Sequence, residues 1–271
     1  MYWNQLLATL VPERHLVQLY QADERFLTRN VSRYLWEGLK HGDGLVVVAT
    51  AAHIGQIALE LKALEADTEA AEQQGKLVFC DAQEMLPRFL VEGQPDWGRF
   101  DSTVGGLVRP ARARSGNAGL RVYGEMVGLL WKEGNRSSAI RLEQFWNRLI
   151  RATACNLFCA YPIDVFGNDF QIAEVDGLLC AHTHLLPSAT DKDLESSVNR
   201  AMDEVLGPKA DRLRPLIKAN YRPSWAAIPR GEALILWLRS NLADEADEIL
   251  SRARQYYRVS QGTATMHNER N

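Results

Sequence analysis

Short apolar runs alternate with amphipathic segments along the first 187 residues of the chain. Residues 45–49 are continuously apolar and β-branched at their centre, which is typical of a strand buried on both faces of a parallel sheet. Residues 51–64 follow a capping residue, Thr50, and carry apolar groups at helical spacing. Alternating strands and helices require crossover connections, so the pattern predicts an α/β fold with a mostly parallel sheet flanked by helices.

The same patterns extend this prediction along the chain. The predicted strands are 15–20, 45–49, 77–80, 120–123 and 156–160. The predicted helices are 23–38, 51–64, 82–91, 100–114, 126–132 and 137–152. Ligands of parallel sheets bind at the carboxyl ends of the strands. The segments that follow these strands are therefore the ones to search for a binding site.

The pattern changes after Pro187. Residues 191–205 and 231–258 are charged and amphipathic, and a proline-bearing stretch with Trp225 separates them. We predict a carboxy-terminal helical extension over 191–258 and a disordered polar tail over 260–271. The α/β domain is expected to span residues 11–187.

Composition and charge narrow the class of protein. The formal net charge is −3, so the totals favour neither nucleic acid nor an anionic membrane as a partner. The chain contains 4 cysteines without a CxxC pair, which fits a reducing compartment better than a disulfide framework. No apolar stretch reaches the length of a membrane span. A cytoplasmic protein is the resulting expectation.

Aromatic side chains lie at or near several predicted strand ends. They could line an apolar pocket for a small organic molecule, and ordinary core packing is the alternative for each. These residues are Tyr20, Tyr123, Trp131 and Tyr161.

A CxHxH cluster is the one arrangement with metal-ligand character. Cys180, His182 and His184 would share a face if the segment were a strand, and they would suit zinc or another transition metal. The spacing matches no established zinc finger, and surface or capping histidines are the alternative. We therefore expect no metal and no cofactor. Cys155 and Cys159 are expected to pack as small hydrophobes.

Several segments of the chain resemble the MEDS family of sensory domains in their sequence, order and spacing. These segments are HLVQLYQADERFLTRNVSRYLWEGLKHGDGLVVVAT, YGEMVGLLWKEGN, AIRLEQFWNRL and LFCAYP. The resemblance covers roughly residues 11–187. It implies a relative of the RecA/KaiC-like ATPases that senses small molecules such as hydrocarbon derivatives. His15 matches a histidine of the family's opening motif, and Glu125 and Glu143 lie in two of the matching segments. For Glu143 the alternative is an exposed helix contact with Asn147.

The residues themselves argue against an ordinary phosphate-binding loop. The segment 20–28 follows the first strand but contains no glycine and no lysine. Asp23 and Glu24 lie where a triphosphate needs positive charge, and two carboxylates repel a polyanion. No nucleophile–histidine or paired-carboxylate arrangement indicates catalysis.

These observations predict a non-enzymatic, small-molecule-sensing regulatory protein. Its ligand would bind at the carboxyl edge of the sheet, and the helical extension would signal to a partner protein or across a homodimer. The alternatives are a RecA-like nucleotide-binding enzyme with an unorthodox phosphate loop, and an interaction module without a ligand. The predicted ligand contacts are His15, Tyr20, Asp23, Tyr123, Glu125, Trp131 and Tyr161.

Overall fold

The computed structural model describes residues 2–21, 24–188, 191–220 and 227–268. Asp23, one of the predicted ligand contacts, and Trp225 lie outside this range. The strands are β1 (His15–Leu19), β2 (Gly44–Ala49), β3 (Leu77–Asp81), β4 (Leu90–Val91), β5 (Gln94–Pro95), β6 (Leu120–Gly124), β7 (Asn156–Tyr161) and β8 (His184–Leu186). β4 and β5 form a small antiparallel pair. The other six build one sheet in the order β3-β2-β6-β7-β1-β8.

Every strand pairing in the six-stranded sheet is parallel, which confirms the predicted α/β class. The helices of the first part are α1 (Tyr2–Ala8), α2 (Arg25–His41), α3 (Ala51–Ala63), α4 (Thr68–Gln73), α5 (Ala82–Met85), α6 (Trp97–Arg114), α7 (Met126–Lys132), α8 (Arg136–Thr153) and α9 (Ile172–Ala181). The carboxy-terminal helices are α10 (Asp191–Leu206), α11 (Pro208–Asn220), α12 (Arg230–Asn241) and α13 (Ala243–Asn268).

The structure departs from the predicted elements in a few places. The predicted helix over 82–91 is wrong beyond its first turn, since α5 ends at Met85 and a 3₁₀ turn at Leu86–Phe89 follows. Pro87 in that turn lacks the backbone N–H that a continuing helix would need. The sequence did not predict β4, β5, β8, α1, α4, α9 or α11. α13 continues to Asn268, within the segment predicted to be disordered.

Helices cover both faces of the sheet. On one face, Val31 of α2 and Ile57 and Leu61 of α3 share a core with Leu45 and Val47 of β2. On the other face, α5 to α9 bury a larger core that includes Val104 and Leu142, residues from α6 and α8. A parallel sheet needs this double cover because its strands are apolar on both sides.

The carboxy-terminal helices belong to the larger core. Leu194 of α10, Ile235 of α12 and Ile249 of α13 are buried in the same cluster as the sheet residues. Arg239 of α12 donates to the backbone carbonyls of Phe166 and Gly167, in the segment after β7, at 3.0 Å each. The helical extension is therefore packed against the α/β domain.

None of the helices in the described ranges is long and apolar enough to cross a membrane. This finding agrees with the absence of a long apolar stretch from the sequence.

A buried arginine at the start of β6 ties the first helix to the sheet. Arg121 is fully buried and its Nε donates to the Asp43 carboxylate at 2.8 Å. Its Nη atoms donate to the carbonyls of Leu7, Ala8 and Tyr34 at 2.6, 2.9 and 3.2 Å. The second Asp43 oxygen accepts the backbone N–H of Gly119 at 2.8 Å. These bonds give both buried charges several partners within the protein.

We expect Arg121→Met to destabilise the protein by about 3–5 kcal/mol, because it leaves Asp43 buried without its cation. Urea denaturation followed by circular dichroism measures this change. Arg109→Met is the control, since its ion pair with Asp101 is partly exposed and should contribute less than about 1 kcal/mol. Equal losses in the two variants would contradict a special role for Arg121.

Candidate functional site

A buried carboxylate lies at the carboxyl edge of the sheet. Glu125 directly follows β6 and is 4% exposed. Its Oε2 accepts the backbone N–H of Thr50 at 2.9 Å. Its Oε1 accepts from the Tyr123 hydroxyl at 2.6 Å and lies 2.5 Å from His53 Nδ1. We call Glu24, His53, Tyr123 and Glu125 the edge cluster.

The local sequence explains how these groups meet. Thr50 directly follows β2 and caps α3, with its hydroxyl accepting the N–H of His53 at 3.4 Å. The cap places His53 in the first turn of α3, directly at the sheet edge. Glu24 stands just before α2 and its carboxylate lies 2.8 Å from His53 Nε2. The imidazole therefore lies between two carboxylates.

The edge cluster lies where the connections of the sheet diverge. From β2 the chain leaves through α3 towards the outer strand β3, whereas from β6 it leaves through α7 and α8 towards β7. Adjacent parallel strands whose connections run in opposite directions leave a crevice at their carboxyl ends, and such crevices are the usual ligand sites of open α/β sheets. Glu125 follows β6 and His53 lies in the first turn after β2, so their contact joins the carboxyl ends of these two strands.

The electrostatics favour a charged histidine. Burial alone would lower the pKa of His53, but its bonds to Glu125 and Glu24 outweigh burial and raise the pKa to about 9. Burial and the charge of Glu125 raise the pKa of Tyr123 well above its ordinary value. Tyr20 lies edge-on to His53, with 6.1 Å between ring centroids, and burial with Glu125 and Glu24 raises its pKa too.

A second polar group lies inside the protein on the opposite face of the sheet. Glu143 of α8 is 0% exposed, and its Oε1 accepts from the Tyr161 hydroxyl at 2.6 Å. Nε2 of His15 and Nε2 of His182 each lie 3.3 Å from a Glu143 oxygen. Cys159 Sγ lies 3.4 Å from His15 Nε2 and 3.8 Å from Glu143 Oε2. We call these five residues the interior cluster.

The interior cluster changes two expectations from the sequence. The alternative for Glu143, an exposed contact with Asn147, is wrong because Glu143 is completely buried. Asn147 instead donates to the carbonyl of Ala181 at 2.9 Å and accepts from His15 Nδ1 at 3.1 Å. Cys159 is buried as expected, but its neighbours include ionisable groups as well as apolar ones.

The predicted ligand contacts fall into separate groups. Tyr20, Tyr123 and Glu125 meet at the edge cluster, whereas His15 and Tyr161 lie in the interior cluster. Trp131 packs edge-on against Tyr161, with centroids 5.5 Å apart, and lines an open surface depression of about 700 Å³. A single pocket lined by Tyr20, Glu125 and Tyr161 is therefore not formed, because Tyr161 faces the other side of the sheet.

The three residues of the alternative metal site, Cys180, His182 and His184, do not lie together in the structure. Cys180 is exposed on α9, which ends at Ala181, and His184 begins β8, so the segment is not one strand with a shared face. His182 turns inward, where its Nδ1 lies 2.7 Å from the carbonyl of Leu178. His184 Nδ1 lies 3.0 Å from the Thr183 hydroxyl.

Sequence reasoning missed His53 as a site residue. The available signal was its position three residues after the capping Thr50, at the carboxyl end of an apolar strand. A histidine there must lie at the sheet edge, beside the residue that follows the neighbouring strand.

The raised pKa of His53 predicts a stability that depends on pH. The folded-state pKa of about 9 exceeds the ordinary 6.5, so the contribution is complete below pH 6.5 and is lost as the pH rises towards 9. The loss should be on the order of 3 kcal/mol, and urea denaturation at several pH values measures it. His53→Gln should flatten this dependence. A wild-type stability that stays constant from pH 6.5 to 9 would contradict a charged His53.

Comparison with known protein families assigns the chain to a family. The model of the methanogen/methylotroph, DcmR sensory domain, abbreviated MEDS, matches residues 14–183. None of the curated proteins matches the chain. The match begins just before β1, ends just before β8, and contains both the edge cluster and the interior cluster. The chain belongs to the MEDS family of sensory domains.

Proposed function

We propose that the protein is a non-enzymatic regulator that binds a small organic molecule at the edge cluster and signals through its carboxy-terminal helices. The observation that carries this proposal is the position of the His53–Glu125 pair at the carboxyl ends of β2 and β6, where open α/β sheets usually form a ligand-binding crevice. Membership of a sensory family supports a regulatory role. Polar groups that converge in such a crevice can orient a ligand.

The chemistry of the cluster favours a ligand with hydrogen-bond donors. Glu125 is fully engaged, but the Glu24 side chain is 49% exposed and reaches the same histidine. A small alcohol or amine can replace water around the Glu24 carboxylate, next to His53 and the Tyr20 ring. Two carboxylates against one imidazolium leave a net negative charge, which favours an amine and disfavours phosphate. The nucleotide-binding alternative receives no support from this charge balance.

The proposed route to the helical extension runs through the segment after β7. The backbone N–H of Tyr20 donates to the carbonyl of Tyr161 at 2.9 Å, so the ends of β1 and β7 are joined. Three residues later, Asp164 forms an ion pair with Arg254 of α13. Arg239 of α12 holds the carbonyls of Phe166 and Gly167. A ligand that shifts the Tyr20 segment can therefore bias α12 and α13, provided it binds two conformations unequally.

The first test of this proposal is binding of methylamine, methanol and dichloromethane, measured by isothermal titration calorimetry on the full chain. We expect saturable binding of the amine or the alcohol. Glu24→Ala removes a charged hydrogen-bond acceptor and should weaken that binding about tenfold or more.

Glu69→Ala is the matched control, because Glu69 is an exposed glutamate on α4 outside the edge cluster. It should leave the affinity unchanged. No saturable binding of any of the three compounds, or equal affinities in wild type and Glu24→Ala, would overturn the proposed site.

The second test concerns signalling. Hydrogen exchange of residues 230–258 should change when the bound compound is saturating, because the extension contacts the segment after β7. Arg239→Met should abolish this change while the affinity stays within about threefold. Arg252→Met, at an exposed ion pair of α13, is the control and should behave as wild type. Unchanged exchange of this region in the wild type would rule out the proposed route.

A further inference from the structure

The interior cluster brings four potential metal ligands to one point. The ligand atoms of the four side chains all lie within 4.8 Å of one another and every one of these residues is buried. They come from β1, α8, β7 and the connection between α9 and β8, so the whole fold contributes to their placement. The residues are His15, Glu143, Cys159 and His182.

The hydrogen bonds of the two imidazoles direct their lone pairs into the cluster. His182 Nδ1 lies 2.7 Å from the carbonyl of Leu178, and His15 Nδ1 lies 3.0 Å from the carbonyl of Ala181. A carbonyl oxygen only accepts, so Nδ1 carries the proton in each ring and Nε2 of the neutral ring presents a lone pair. Metal-bound histidines are commonly oriented by this kind of bond from the other ring nitrogen.

Hydrogen bonds do not satisfy all the polar atoms at the centre of the interior cluster. His182 Nε2 is fully buried and has no hydrogen-bond partner, although a Glu143 oxygen lies 3.3 Å away. The His15 Nε2 to Glu143 distance, also 3.3 Å, is long for such a bond. The two rings lie 4.0 Å apart between centroids, so two imidazolium charges would repel each other. Two lone pairs, a carboxylate and a sulfur therefore face one another.

The distances fit a tetrahedral metal. Bonds of about 2.0–2.3 Å from zinc to nitrogen, oxygen and sulfur place neighbouring ligand atoms about 3.3–3.7 Å apart. Glu143 Oε2 lies 3.3 Å from His15 Nε2 and 3.8 Å from Cys159 Sγ, and these two atoms are 3.4 Å apart. His182 Nε2 lies 3.3 Å from the other carboxylate oxygen, Oε1, so the carboxylate would bind the ion through one or both of its oxygens. Tyr161 donates to Glu143 and would fix the orientation of this carboxylate.

The geometry points to a closed, structural site for a divalent transition metal, with zinc as the best-fitting ion. Its four ligands are His15, Glu143, Cys159 and His182. Mixed nitrogen, sulfur and oxygen donors suit zinc, and four protein ligands without an open position are typical of structural sites. The site would join β1 and β7 to α8 and to the connection that leads into β8. It lies on the other face of the sheet from the edge cluster and does not depend on the proposed function.

The test begins with the full chain purified from zinc-supplemented cells. We expect elemental analysis to find about one zinc per chain. After chelation, cobalt should bind in the same proportion and give a thiolate-to-cobalt charge-transfer band. A folded wild-type chain that neither retains zinc nor takes up added zinc or cobalt would overturn the site.

Variants identify the ligands. Cys159→Ser is close to isosteric and should remove the charge-transfer band, whereas Cys155→Ser changes another buried cysteine outside the cluster and should keep it. His182→Asn retains a donor for the Leu178 carbonyl but lacks the ligand nitrogen. It should weaken zinc binding by more than the roughly 10- to 100-fold typical of outer-shell changes.

If His182→Asn does not fold, the comparison of the two cysteine variants decides the outcome. A charge-transfer band that persists in Cys159→Ser, or one that disappears in Cys155→Ser alone, would place the thiolate elsewhere and overturn the assignment.

Discussion

Both faces of the parallel sheet have to be covered, and this constraint determines where polar chemistry can lie. Strands such as β2 are buried along their whole length, so ionisable groups are confined to the strand ends or must be fully satisfied inside. The edge cluster takes the first solution at the carboxyl ends of β2 and β6. The interior cluster lies inside, beneath β1 and β7, where His182 Nε2 has no hydrogen-bond partner and the proposed metal would satisfy it. Arg121 and Asp43 show the same rule at the opposite ends of the strands, where an ion pair is buried with all its bonds formed.

The two clusters differ in the access they allow. In the edge cluster the Glu24 side chain is about half exposed, so solvent and small molecules can compete for the groups around His53. Glu143, by contrast, is completely enclosed together with His15 and Cys159. Burial lowers the pKa of His15 and the neighbouring His182 lowers it further, whereas burial followed by Glu143 raises the pKa of the Cys159 thiol. An accessible cluster suits reversible binding, and an enclosed one suits a permanent structural role.

The sequence predicted the main strands because buried parallel strands are continuous apolar runs, such as residues 45–49. It could not predict β8, which has 3 residues and no distinctive pattern. Tyr20, Tyr123 and Glu125 were predicted together because strand ends meet at one edge. The interior cluster was not, since Glu143 on an amphipathic helix has the same sequence pattern as a surface residue. Only the packing of α8 onto β1 and β7 turns this carboxylate towards His15, and such packing between distant segments leaves no local signal.

The shared core of the sensory domain and its helical extension determines where the chain can be divided. The family match ends at residue 183, yet Leu194, Ile235 and Ile249 lie beyond that boundary and cover apolar surface of the domain. The matched segment is therefore smaller than the unit that buries its own core. A chain cut after residue 183 would lose β8 from the edge of the sheet and would expose the apolar surface that these helices cover. A fragment that folds on its own therefore has to include the helices that close this core.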